Sequence, residues 1–388
     1  MVTAQNKYLG WAVASLLVAA VACSDEQSDD PMGGGGSGGG SSEPSGGGGS
    51  GGDLTPGSTG GAGAKPGTGG GSVVWPSNPD NSPEIELWYG DDQIIGGPGE
   101  PAPQRWVNVL GRITEPTAGS ATYRVNGGPE QSFPFGPSTT RLLATGDFNL
   151  EVERTALLPA PEFNSVDILV QTGSDEPLFR RVHLQVHPPD TVAPDLYVDF
   201  SALPDVTALN QVAAVVDGLW ELTEDGVRTA ELGYDRLIAL GSQGWSSDYE
   251  VLAEFTLHYW RNWGAVGVAV GWQGHAGTQD PREDWPLEAL GWVRKVVPQP
   301  ELQIMAYSGG VLDRRAFDLV EGDTYLLRTR TTRGTGNTRR ASLRVWPVSS
   351  EEPSDWLLET QAPLHDGSVL LVTHHADVTW HNVTVTPL

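Results

Sequence analysis

One cysteine, Cys23, is all the chain of 388 residues contains. A lone thiol cannot form an intrachain disulfide, so packing alone must hold any core. Positive charge is scarce as well: 23 Lys and Arg stand against 49 Asp and Glu, a net charge of −26. Nucleic-acid binding needs clustered Lys and Arg to displace counterions from phosphates, and adhesion to anionic headgroups needs the same, so neither partner fits. The acidic surplus reads as a solvation device. Beyond residue 22 no apolar run is long enough to span a bilayer. A Gly-rich phosphate loop of the right spacing, a Ser nucleophile elbow and a Cys–His constellation are all missing.

What is present begins with an export pattern. Lys7 supplies a positive n-region, and Leu9 to Val21 form an apolar run too short for a comfortable membrane span. The run ends Ala20-Val21-Ala22-Cys23, which resembles the bacterial lipobox, although Ala20 stands where Leu is usual. That resemblance implies a signal peptide over 1–22, acylation of Cys23, and a place in the bacterial cell envelope with membrane contact through the anchor only. Residues 23–82 are Gly, Ser, Pro and Thr with scattered acids, as in GGGGSGGGSS. Such a chain cannot bury enough apolar surface to offset its ordering entropy, so a disordered linker is expected. A linker fixes place and not chemistry.

Residues 83–190 hold short strand-like segments, among them Trp106 to Ile113, Phe148 to Arg154 and Phe179 to Val186, separated by turn signals such as Asn126-Gly127-Gly128. No helical period of useful length interrupts them. About one hundred residues in seven or so strands predict an immunoglobulin-like or fibronectin-like sandwich. The stretch from Gly146-Asp147-Phe148-Asn149 through Asn164-Ser165-Val166 resembles the late strands of bacterial Ig-like modules. Trp88 and Trp106 are expected to plug its core, with a sugar-stacking surface as the alternative.

Residues 195–388 again read as strands, including Tyr249 to Trp260, Thr324 to Thr332, Arg340 to Trp346 and Val378 to Thr386. Roughly 190 residues of mostly antiparallel strands suit a jelly roll of two curved sheets. The fold class expected for the chain is all-β, with two β-sandwich domains after the linker. The stretches GYDRLIALGSQGWSSDYEVLAEFTLH, GVAVGWQGH, LRVWPVSSEEPSDW and HADVTWHNVTV resemble the laminin G-like and concanavalin A-like superfamily. Many of its members carry Asp before the last Asn of this pattern. Here His381 takes that place, so calcium is left without a supporting motif and no cofactor is expected.

Alternation assigns faces. Tyr249, Val251, Ala253, Phe255, Leu257 and Tyr259 share a side apolar enough to face the core, opposite Glu250, Leu252, Glu254, Thr256, His258 and Trp260. The polar sides of the later strands carry Arg328 and Arg330, then Arg344 and Trp346. If these strands share one sheet, the face holds acids, guanidinium groups, a histidine and indoles. Such a surface suits a sugar, and an Arg cluster would match a uronate or sulfate. The bland alternative is a solvated face that discourages edge pairing. The long segment from Gln273 to Leu290 suggests His275, Trp285 and, just beyond it, Trp292 as candidate rim residues, the alternative being that several such rings fill core beneath the loop. The adjacent His374 and His375 lie in a presumed strand, where alternation points their rings to opposite faces.

Three functions follow. The preferred one is non-catalytic binding of a polysaccharide or matrix glycan through Glu254, His258, Trp260, His275, Trp285, Trp292, Arg328, Arg330, Arg344 and Trp346. A hydrolase or lyase built on Glu250, Glu254 and His258 is the second. Against it, Glu250 and Glu254 lie roughly 13 Å apart along a straight strand, whereas glycosidase acids stand about 5–5.5 or 6.5–9.5 Å apart. A purely structural surface module is the third.

Overall fold

A computed structural model describes Trp75 and residues 80–95, 103–284, 289–306 and 310–388. All belong to the unit Gly71–Leu388. The signal peptide, Cys23, nearly all of the expected linker, and Trp285 lie outside the described residues. The fold is all-β, with α1 (Leu209–Val212) the single short α-helix among the described residues.

In the N-terminal half the strands are β1 (Ile85–Leu87), β2 (Asp92–Ile95), β3 (Trp106–Ile113), β4 (Ser120–Val125), β5 (Gln131–Phe133), β6 (Asp147–Glu153), β7 (Asn164–Gln171) and β8 (Leu178–Val186). They form two sheets, β1–β3–β6 and β2–β8–β7–β4–β5, with β2 and β8 parallel. Alternation sends Val107, Val109, Phe148, Leu150 and Val152 into a shared core with Val166, Ile168 and Val182. Neither tryptophan fills that core. Trp88 packs against the core of the C-terminal half, and the Trp106 indole donates to the His275 carbonyl at 2.8 Å. Alternation explains Trp106: it shares the side of β3 that carries Asn108, opposite Val107 and Val109.

The C-terminal half comprises β9 (Leu196–Asp199), β10 (Ala214–Asp217), β11 (Trp220–Thr223), β12 (Gly226–Thr229), β13 (Arg236–Leu240), β14 (Tyr249–Trp272), β15 (Ala289–Arg294), β16 (Glu301–Ala306), β17 (Val311–Ala316), β18 (Thr324–Arg333), β19 (Arg339–Pro347), β20 (Leu358–Ala362) and β21 (Ser368–Pro387). The long strands β14 and β21 pair antiparallel and bend together, so each serves two layers. The front layer runs β9–β21–β14–β18–β19–β20. The back layer runs β10–β13–β21–β14–β15–β16–β17. At the bend, Arg261 to Gly264 stand against His375 alone, and Trp263 and His375 adopt φ of 69° and 46°. That left-handed region is sparsely used by residues other than glycine.

Between the layers lies one apolar core, with Val251, Phe255, Leu327 and Val383 from the front and Val266, Val268, Val293 and Leu371 from the back. The back layer is buried on its other side too, through Leu237, Ala269, Leu290 and Leu370. This is why Ala265 to Val270 read as a continuous apolar run while Tyr249 to Leu257 alternate.

A buried polar network joins the two halves. Arg141 donates to Asp217 at 2.8 Å and to Glu151 at 2.7 Å, Asn149 donates to Asp217 at 2.9 Å, and His275 Nε2 lies 3.0 Å from the same carboxylate. The side chains of Arg141, Glu151, Asp217 and His275 are each at most 3% exposed. Burial alone would raise the Asp217 carboxyl, but the Arg141 charge and the His275 hydrogen bond outweigh it and hold the group below the usual range.

Candidate functional site

Register aligns the outward side chains of the front layer into rows, because directly paired residues share a face. One row reads Tyr197, Thr384, Leu252, Arg328, Arg344 across β9, β21, β14, β18 and β19. The next reads Asp199, Asn382, Glu254, Leu326, Trp346. Five strands at about 4.8 Å spacing make a face roughly 19 Å wide. The Tyr197 ring is exposed at 63%, and Leu252 and Leu326 are half-buried. Asn382 donates to Glu254 at 2.8 Å.

Two bulges edit this grid. His381 is the extra residue on β21 and His258 the extra residue on β14. His381 bridges Thr256 and the Asp225 carbonyl, both at 2.7 Å, and His258 Nε2 meets the Thr379 hydroxyl at 2.8 Å. Burial, then the nearby Arg228 charge, pushes the His258 ring below its ordinary pKa. An extra residue inverts the alternation beyond it. Trp260, expected on the outward side with Glu254, therefore turns into the core at 2% exposure, and Tyr259, expected inward with Leu257, takes its place outside at 47%.

The guanidinium cluster does form, but it is already matched. Arg328 and Arg330 both hold Glu250, Arg330 at 2.7 Å from Nε, and Arg328 also reaches Glu352 at 2.7 Å. Arg344 pairs with Glu352 and donates to the Pro353 carbonyl at 2.7 Å. The Trp356 ring lies 4.8 Å from the Arg330 guanidinium and 4.4 Å from that of Arg344. Burial would raise the Glu250 carboxyl; hydrogen bonds from Arg330 and Arg328 outweigh it and keep the group below its ordinary range. Trp346, expected to be open to ligand, is buried at 4%.

The other expected residues lie elsewhere. His275 is buried beside Asp217, with its ring edge-on to Trp272. Trp292 is buried in the back layer and donates to Gln303 at 3.0 Å. His374 and His375 do not diverge: the left-handed turn at His375 brings their ring centroids to 4.4 Å, and Asp235 takes His374 at 2.8 Å. Among the described residues no cluster of three or more His, Cys, Asp and Glu is arranged to hold a metal ion.

Sequence reasoning passed over Tyr197, Asn382, Glu352 and Trp356. Tyr197 was findable, since it alternates with buried Leu196 and Val198. Glu352 and Trp356 sit in the turn after β19, where no periodicity marks a direction.

No family model and no curated protein matches the chain. Solved structures similar to it include a carbohydrate binding module from Bacillus subtilis at 15% identity, covering 45% of this chain and 94% of that one with a TM-score of 0.31. A legume lectin-like domain from Entamoeba histolytica is similar at 8% identity, 51% and 100% coverage and a TM-score of 0.36. An alginate lyase, solved with an alginate trisaccharide, is similar at 12% identity, 51% and 100% coverage and a TM-score of 0.33. Likenesses of this size carry nothing about ligand or activity.

Proposed function

We propose that this chain is an exported, lipid-anchored envelope protein that binds extracellular carbohydrate, without cleaving it, on the outward face of its front layer. The observation that carries this is the pair of rows around Leu252 and Glu254. An exposed tyrosine ring and two half-buried leucines offer apolar contact to the C–H face of a pyranose, and Glu254, Asn382 and Thr384 stand beside them as partners for hydroxyls.

The same face favours a neutral glycan over a uronate or sulfate. Arg328, Arg330 and Arg344 are already paired with Glu250 and Glu352, and Trp356 caps Arg330 and Arg344. A uronate would have to displace those carboxylates, in a protein of net charge −26.

Catalysis fits less well. A general acid needs a raised pKa, and Glu250 is held low between two guanidinium groups. For a lyase, His258 and Arg328 would have to meet at the uronate. Arg328 pairs with Leu252, six residues from His258 and roughly 20 Å along the strand. A glycan array probed with the full chain tests the reading: neutral oligosaccharides are expected to bind, and an array that yields only anionic glycans, or none, contradicts it.

A further inference from the structure

A concave surface lies away from the front layer and shares no residue with its outward face. It is a cleft of about 530 Å³ between β4, β5 and β6 on one side and residues 278–282 on the other. That volume falls within the roughly 300–1,000 Å³ of small-molecule sites. Its polar lining includes Tyr123, Gln131, Glu151, Glu153, Asp280 and Arg282.

The electrostatics of the lining are lopsided. Glu151 is spoken for by Arg141 at 2.7 Å and Arg282 at 3.1 Å, and Glu153 by Arg105 at 3.3 Å. Arg282 also covers the Trp106 ring at 3.6 Å, and Arg105 lies 4.4 Å from the same ring, so that indole has guanidinium groups against it and is not free to stack on a ligand. Asp280 remains. It is exposed to the cleft and makes no hydrogen bond or ion pair with a described residue. Desolvation, then the neighbouring Glu151, lifts its carboxyl above the usual range. The charges of Arg282 and Arg141 act against that rise without pairing with it, and a cation brought to that carboxylate would oppose it further.

We propose that this cleft binds an amine-bearing saccharide, with the ammonium on Asp280 and the hydroxyls on Gln131 and Glu153. The unpaired Asp280 carboxylate selects a cationic group, and the scarcity of free aromatic faces makes recognition polar. An anionic sugar would meet the unpaired Asp280 carboxylate and is disfavoured.

Isothermal titration of the full chain with the β-1,4-linked dimer of glucosamine tests this, with the N-acetylated dimer as control. The free-amine dimer is expected to bind saturably, more weakly as salt is raised, and about tenfold or more tighter than its acetylated counterpart. Asp280→Asn, on an exposed loop, is expected to keep the thermal midpoint and lose about tenfold in affinity. Tyr197→Ala is expected to leave this binding untouched. Equal binding of the acetylated dimer, wild-type affinity in Asp280→Asn, loss of binding in Tyr197→Ala, or no binding by the folded chain would each overturn the assignment.

Discussion

Arg141 has a buried carboxylate on each side, Asp217 and Glu151. Removing one member of such a network leaves uncompensated charge in a low dielectric, which costs about 3–5 kcal/mol. Arg141→Met is therefore expected to lower the unfolding free energy by about that amount in chemical denaturation, far more than a typical surface substitution; a loss under about 1 kcal/mol would show the network to be weak. Nothing near Arg141 in the sequence announces this role, because Asp217 is 76 residues away. Glu254, Arg328 and Arg344 were legible as outward residues because period-two alternation is local. Their partners Glu352 and Trp356 were not, since a turn has no period from which a direction can be read.

At the scale of the element, β14 and β21 show where alternation holds and where it fails. Tyr249 to Leu257 obey it; beyond the His258 bulge the sides exchange, which is why Trp260 went inward. A bulge has no fixed residue signature, so inversion of this kind is invisible until the partner strand is known. The bend itself carries a pH dependence. Burial, then the neighbouring His374, lowers the His375 ring to about 4 from an ordinary 6.5. Between those values the unfolded chain binds a proton that the folded chain refuses, so stability falls as pH drops from 6.5 towards 4. For a half-buried ring the effect is on the order of 1–2 kcal/mol after solvent screening. Asparagine tolerates the left-handed backbone at this position. His375→Asn is expected to flatten the stability profile across that window; an unchanged slope in pH-dependent unfolding would assign the effect to other groups.

Across the molecule, the two halves meet through a buried polar network. The all-β class was legible throughout, from short strands and turn signals. The contact between the halves was not, because it joins residues such as Trp106 and His275, 169 apart, and because its members are polar and carry no hydrophobic pattern. Burial of this kind couples the halves thermodynamically. Calorimetry of the full chain is expected to give one cooperative transition, and two well-separated peaks would show the halves to be independent.

The central claim is that a neutral sugar lies across the front layer beside Tyr197. Its most direct test is the affinity of the full chain and of Tyr197→Ala for whichever neutral oligosaccharide the array selects. Loss of a stacking ring should weaken binding by about tenfold, or roughly 1.4 kcal/mol, while the exposed position leaves folding intact. Equal affinity in the two proteins would remove the sugar from this face.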